Sequence, residues 1–278
     1  MVERWRALLL ALILPLAGFG SLEGWFAPSA SPWSRWQAND PASVARIDHA
    51  AWTSLLRTYL VAGDVNRFRY SAVTPADRRA LDAYIAGLAR LPISRYRRAE
   101  QLAYWINLYN ALTVAVVLDH YPVASIRDID ISPGWFSHGP WDKALVTIEG
   151  EPVTLNDIEH RILRPIWHDP RIHYAVNCAS LGCPDLQPVA FTADNAEQLM
   201  EQGARQFINS RGAALISGRL VVSSLYVWFT EDFGGSEQSV LDHLRRYAGA
   251  RLGAALAHRT RIDADAYDWR LNDAGLHG

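Results

Sequence analysis

The chain has 278 residues, a formal net charge of −2 at pH 7 and a hydrophobic fraction of 50%. That is ordinary globular composition, with enough apolar material for one large core or two small ones. Near-neutral charge excludes the basic footprint expected of a nucleic-acid partner. Of the 27 basic residues only Lys143 is lysine, which reads as a genome-wide bias rather than a site. The 11 tryptophans read as core or partner-surface rings before pocket walls.

Arg4 and Arg6 precede an apolar run from Ala7 to Phe19, and Gly18-Phe19-Gly20 offers small residues for a signal peptidase. Residues 1–20 are expected to be a signal peptide or an uncleaved N-terminal anchor. The run is short for a membrane span, which needs about 20 residues. No cysteine follows it, so a lipoprotein anchor is excluded. The expected location is periplasmic or secreted, with membrane contact only through this segment. Residues 21–41, rich in Ser, Pro and Trp, read as a linker, and 42–278 as a single domain.

Pro41 to Leu60 is a candidate helix. Thr74-Pro75-Ala76-Asp77 has a capping threonine, a first-turn proline and an acid three residues on, and predicts a helix to about Leu91. Ser94 opens a long helix to His120, stopped by Pro122. From Leu102 to Leu118 it is apolar nearly all round, the pattern of a buried central helix. It nevertheless carries Glu100, Asn107 and Asn110. Glu100, Tyr104, Asn107 and Ala111 share a stripe, with Asn110 on its flank. This stripe either ties loops to the core or lines a site.

Hairpins are predicted around Gly150 and at Ser217-Gly218. A capped helix should start at Thr154 and end before Pro165. Ile172 to Cys178 reads as a strand. Further helices are predicted over 192–209 and 236–247, and a last strand over 260–267. Helices first and strands later give an α+β fold, with the long central helix packed on a small, mostly antiparallel sheet.

Three stretches carry chemistry. The first is Arg171 to Pro184, with His173 and both cysteines, Cys178 and Cys183, five residues apart. Three readings stay open: a structural disulfide, a reactive thiolate, or a metal site, for which no supporting spacing exists. On a regular strand, His173 and Cys178 point to opposite faces about 16 Å apart, so His173 cannot serve Cys178 directly. A bulge, a turn bringing Cys183 back, or His160 would be needed. The second stretch is Leu155 to Arg164, where His160 and Arg164 lie one helical turn apart. It reads as a solvated face, or as docking on the central helix through a buried Glu100–Arg164 pair, with Glu159 off that line. The third, Trp228 to Gly235, reads as a structured turn. Phosphate loops and G-x-S-x-G are absent, and no cofactor is implied.

EQLAYWINLYNALT (from Glu100), LNDIEHRILRP (from Leu155), RIHYAVNCASLGCP (from Arg171), WFTEDFG (from Trp228) and YDWRLN (from Tyr267) occur in this order. Together they resemble the family numbered five hundred and forty-seven among domains of unknown function, over roughly residues 50 to 272. That family is found in bacterial exported proteins and in plant proteins that add an N-terminal coiled coil. The resemblance carries over Glu100, Asn107, Asn110, Glu159, His160, Arg164, His173 and Cys178. It implies a kept cysteine at Cys178 where the one at Cys183 can be lost, which favours a thiol role. It also implies an outline similar to papain-like or transglutaminase-like folds, although no cysteine stands at the start of the helix.

Two functions follow as expectations. One is an exported thiol-dependent hydrolase or acyl-transferase acting on peptide or cell-envelope amides. Cys178 would be the nucleophile, and His160 or His173 the base, oriented by Glu100 or Glu159. Asn107 or Asn110 would donate to the oxyanion. The other is a non-catalytic cell-envelope binding or scaffold module, with an unknown partner.

Overall fold

The computed structural model describes residues 28–133 and 139–275. The expected signal or anchor at 1–20 lies outside them. The segment expected as a linker packs onto the domain from residue 28 on. Trp36, in the short turn Ser34–Gln37, is 2% exposed and inserts into the main core.

The first helix, α1 (Ala50–Tyr59), is shorter than the pattern over 41–60 predicts. Upstream backbone donors are engaged by side chains instead: Ala42 N by Asp40, Ile47 N by Glu100 and Ala50 N by Asp48. A short antiparallel pair follows, β1 (Leu60–Val61) and β2 (Arg67–Phe68). Helix α2 (Pro75–Ala89) starts as its sequence predicts, with the Thr74 hydroxyl accepting from Asp77 N. Helix α3 (Arg98–His120) is the central element, and every residue from Glu100 to Val117 is buried. It is long and apolar enough to cross a membrane, but 94% of its apolar window is buried inside the protein. It packs on α2 and on the 157–163 turn described next.

Strands β3 (Val146–Ile148) and β4 (Glu151–Val153) form the predicted hairpin. Its two turn residues, Glu149 and Gly150, have φ of 46° and 87°, the sign a tight two-residue hairpin needs. The helix expected to end before Pro165 instead continues through it. Asp157–Leu163 is a π-helical turn that runs directly into α4 (Arg164–Trp167). Proline lacks the N–H that would bond a carbonyl one turn back. The His160 and Arg161 carbonyls are taken instead by Ser31 N and Trp33 N, each at 3.0 Å, so the N-terminal segment completes the helix.

The expected strand Ile172–Cys178 is not a strand. Pro170–Tyr174 is a 3₁₀ turn capped by Asp169, whose carboxylate accepts from Arg171 N. Ala175 N closes back on the Ile172 carbonyl, so the backbone is coiled where a ladder would need it extended. The opposite-face objection between His173 and Cys178 therefore lapses.

Helix α5 (Ala196–Phe207) packs on this turn. Strands β5 (Ala213–Ile216) and β6 (Arg219–Ser223) pair antiparallel through Ser217-Gly218. Short α6 (Leu225–Trp228) and a 3₁₀ turn (Thr230–Phe233) lead to α7 (Glu237–Tyr247), capped by Ser236. Helix α8 (Ala250–Leu256) precedes β7 (Ala264–Ala266), which adds parallel to β6. The fold is α+β, with a long buried central helix and small sheets. Helix α3 shares its apolar cluster with α1, α2 and the β3–β4 hairpin. The β5–β6–β7 sheet contributes to a second cluster with α5, α6, α7 and α8. Ile172 belongs to the first cluster and Tyr174 to the second, so the 170–178 segment joins the two.

Candidate functional site

Two of the chemistry-bearing stretches meet at His173, and the third closes round it. The π turn carries Glu159, His160 and, at its end, Arg164. The 3₁₀ turn carries His173, and the 230–233 turn carries Asp232. His173 is 2% exposed. Its Nε2 donates to Asp232 Oδ2 at 2.7 Å, and its Nδ1 lies 3.7 Å from Glu159 Oε1. Its ring stacks on Phe229 at 4.6 Å between centroids. Arg164 is buried, and its Cζ lies 4.5 Å from the centroid of the Phe229 ring. Its Nε donates to Asp232 Oδ2 at 2.5 Å, and one terminal nitrogen donates to the Pro28 carbonyl and to His160 Nδ1, both at 2.8 Å.

The charges can be assigned from these contacts. Burial pulls the His173 imidazole down, but Asp232 and Glu159 outweigh it and raise it above its ordinary value. Burial would raise the Glu159 carboxyl, yet His160, His173 and Arg164 together hold it at about 2. Asp232 is likewise held well below the usual range against burial by His173 and Arg164. His160 is lowered to about 4, by burial first and by the Arg164 charge opposing a second cation. At neutral pH the cluster thus sets Arg164⁺ against Glu159⁻ and Asp232⁻, with His160 neutral and the protonated form of His173 favoured by the two carboxylates. A neutral His160 that accepts at Nδ1 carries its proton on Nε2. The predicted Glu100–Arg164 pair is not formed, because Asp232 takes Arg164. Glu100 instead meets Arg46, Arg97 and Ile47 N near the start of α3.

The amides of α3 tie loops to the core. Asn107 donates to the Phe191 carbonyl and accepts from Phe191 N. Asn110 donates to the Ala175 carbonyl and accepts from Asn177 N. Their amide groups are paired with backbone rather than aimed at an open oxyanion position. Asn110 still has a positioning effect, since it fixes the backbone between His173 and Cys178.

Cys178 and Cys183 form a disulfide with Cα atoms 6.0 Å apart. Cys178 is half-buried and Cys183 buried. The Cys178 sulfur meets Tyr267 Oη at 3.1 Å and Ser180 Oγ at 3.3 Å. Tyr267 packs at a tilt against Trp228 and Trp269, with ring centroids 4.7 and 4.6 Å away. Buried Tyr109 of α3 lies against Glu159 and Trp141; burial and then the Glu159 charge keep its phenol protonated. The disulfide and the charged cluster are therefore neighbours through these tyrosines, with no direct sulfur–imidazole contact.

Sequence reasoning placed Glu159, His160, His173 and Cys178 in one site and missed Asp232 as the partner of His173 and Tyr267 as that of Cys178. Both stand in motifs singled out for other reasons, WFTEDFG and YDWRLN. No local spacing ties either to His173 or Cys178, so only the fold pairs them. A cleft of about 510 Å³ opens beside His160 and is lined by Ser29, Ser31, Thr154, Asn156, Asp157 and Arg161 among others. Among the described residues, no group of three or more His, Cys, Asp or Glu side chains is placed to hold a metal ion.

Residues 93–208 match the sequence model of DUF547, described as a protein of unknown function. This segment contains α3, the π turn, His173 and both cysteines; Asp232 and Tyr267 lie beyond it. No curated protein and no solved structure matches the chain.

Proposed function

We propose that this domain is a cell-envelope binding or scaffold module rather than a thiol-dependent hydrolase or acyl-transferase. The observation that carries this reading is the state of both reacting groups such an enzyme needs. The Cys178 sulfur is bonded to Cys183, and the buried His173 ring is clamped between Asp232 and Glu159, which favour its protonated form. A ring whose two nitrogens both face carboxylates offers neither of them to a reacting thiol. The cluster instead pins three separate segments to one another, as a satisfied buried network does. The placement in the envelope rests on the N-terminal sequence.

The cleft beside His160 supports a ligand role. Its hydroxyl, amide and charged groups suit a polar ligand held by hydrogen bonds. The test is to mix the purified, unreduced chain with isolated cell-envelope fractions and with peptide amide substrates. Retention on an envelope fraction without product release, equal in Cys178→Ala, is the expected result. Product release that disappears in Cys178→Ala would overturn the proposal, as would failure to bind any envelope fraction.

A further inference from the structure

We infer that the Cys178–Cys183 bridge is an exchangeable redox centre that accepts a peptide cysteine thiol at Cys178, and is not a structural staple. This goes beyond the binding role above.

The loop that carries the bridge is held by other means. Leu181 N bonds the Arg270 carbonyl and Gly182 N the Asp268 carbonyl, both at 2.8 Å, while Asn272 N bonds the Ala179 carbonyl at 3.0 Å. Asn177 Nδ2 donates to the Pro184 carbonyl at 2.7 Å, tying the two ends of the loop together inside the fold. A bridge closing so short a loop also constrains the unfolded chain least. Opening it would leave the loop backbone held by these bonds.

The two sulfurs are unequal. Cys183 is 5% exposed while Cys178 is only half-buried, so an incoming thiolate reaches Cys178. The buried sulfur is equipped to leave. Cys178 N donates to Cys183 Sγ at 2.8 Å, and the Arg211 guanidinium is fixed on the Cys183 carbonyl and on Asp185. An N–H donor and a nearby cation stabilise a thiolate far more than a disulfide sulfur. At the outer sulfur, Ser180 Oγ donates to Tyr267 Oη at 3.0 Å, which leaves the Tyr267 proton free to point at Cys178 Sγ. Trp228 and Trp269 flank Tyr267.

The step balances as thiol–disulfide exchange. The thiolate of the peptide cysteine attacks Cys178 Sγ and forms a mixed disulfide with it. The Cys178–Cys183 bond breaks, and its electron pair goes to Cys183, which leaves as a thiolate and takes up the proton lost by the incoming thiol. A second thiol of the same partner then attacks the mixed disulfide and releases Cys178 as a thiolate. The partner dithiol is oxidised by two electrons and the protein disulfide is reduced by two.

The test treats the full chain with dithiothreitol under native conditions, then alkylates it and follows melting and near-UV circular dichroism. Complete reduction with the folded signal retained is expected; a bridge that opens only as the protein unfolds overturns the inference. In the second arm, Cys183→Ala and Cys178→Ala are incubated with an oxidised cysteine peptide and read by mass spectrometry. Cys183→Ala should trap the peptide at Cys178 and Cys178→Ala should not. No adduct in Cys183→Ala, or equal adducts in both, overturns it. Tyr267→Phe should slow release of the Cys178 thiolate from the mixed disulfide by dithiothreitol about tenfold, the effect of losing one charge-assisted hydrogen bond, and an unchanged rate would count against the assigned donor.

Discussion

Asp232 is the residue on which the charged cluster depends. Its Oδ2 receives both Arg164 Nε and His173 Nε2. Asp232→Asn would leave the buried Arg164 cation and the His173 ring facing Glu159 alone. Removing one partner of a buried ionic pair costs about 3–5 kcal/mol, against little gained from an exposed pair. Urea unfolding of Asp232→Asn at pH 7 should show a loss of that order. A change under about 1 kcal/mol, the scale of an exposed pair, would mean that the cluster is well solvated.

The histidines give the pH dependence. His49, His160 and His243 are each lowered from 6.5 to about 4, in each case by burial first. Between those values the unfolded chain binds protons that the folded chain refuses, so stability falls as pH drops from 6.5 towards 4. His173 works with the opposite sign. Its raised value adds stability that is fully present below the unfolded value of 6.5 and is lost as pH rises through the folded value. The depressed carboxyls Glu159 and Asp232 add stability above their unfolded values that disappears in stronger acid. Chemical denaturation across this range should therefore show acid weakening beginning near pH 6.5. His160→Gln, which can still accept from Arg164, should reduce the slope between pH 6.5 and 4 by up to one proton; an unchanged slope would place the His160 titration elsewhere.

At the scale of elements, α5 and the 170–174 turn meet through a glycine. Gly203 lies in α5, where alanine ordinarily improves a helix by about 1 kcal/mol. Here an added Cβ would come 2.8 Å from the Tyr174 carbonyl and 3.3 Å from its Cβ. Both contacts are with the turn that holds His173, and the nearer is with backbone, so nothing flexible can move aside. Gly203→Ala should lower the melting temperature rather than raise it, and a stabilised variant would show that the two elements slide apart easily. The same scale explains the π turn. Pro165 has no N–H to offer, and the wider turn presents the His160 and Arg161 carbonyls to the incoming N-terminal segment. Arg164 then reaches the Pro28 carbonyl and fixes that segment beside the charged cluster.

At the scale of the whole molecule, that N-terminal segment is part of the fold. Trp36 packs against Trp105 of α3 with ring centroids 5.1 Å apart and is 2% exposed. Large aromatic-to-alanine changes in a core cost about 3–5 kcal/mol. Trp36→Ala should be destabilised on that scale, and a chain truncated to begin at Asn39 should lose at least as much. A truncated chain as stable as the full one would show that the segment merely rests on the surface.

The elements legible in the sequence were those fixed by short-range chemistry. Thr74 with Asp77, Glu149-Gly150 and Ser217-Gly218 are contacts or turns spanning at most three residues. The all-round apolar pattern of α3 demanded burial wherever it was placed. The strand expected over 172–178 was misjudged because β-branched and aromatic residues there are buried at the junction of two clusters, with their backbone held by Asp169 and Asn110. Periodicity cannot distinguish that from a buried strand.

By itself the sequence determined the α+β class, the buried helix, the family likeness and the three stretches in which chemistry resides, because those follow from local propensity and residue type. Only the tertiary structure decided what the residues do to one another. Asp232 reaches His173 across 59 residues and Arg164 across 68, and Tyr267 reaches Cys178 across 89. Whether a histidine is a base or a clamped cation depends on which carboxylates arrive beside it, and such partners come from packing, which no local pattern encodes.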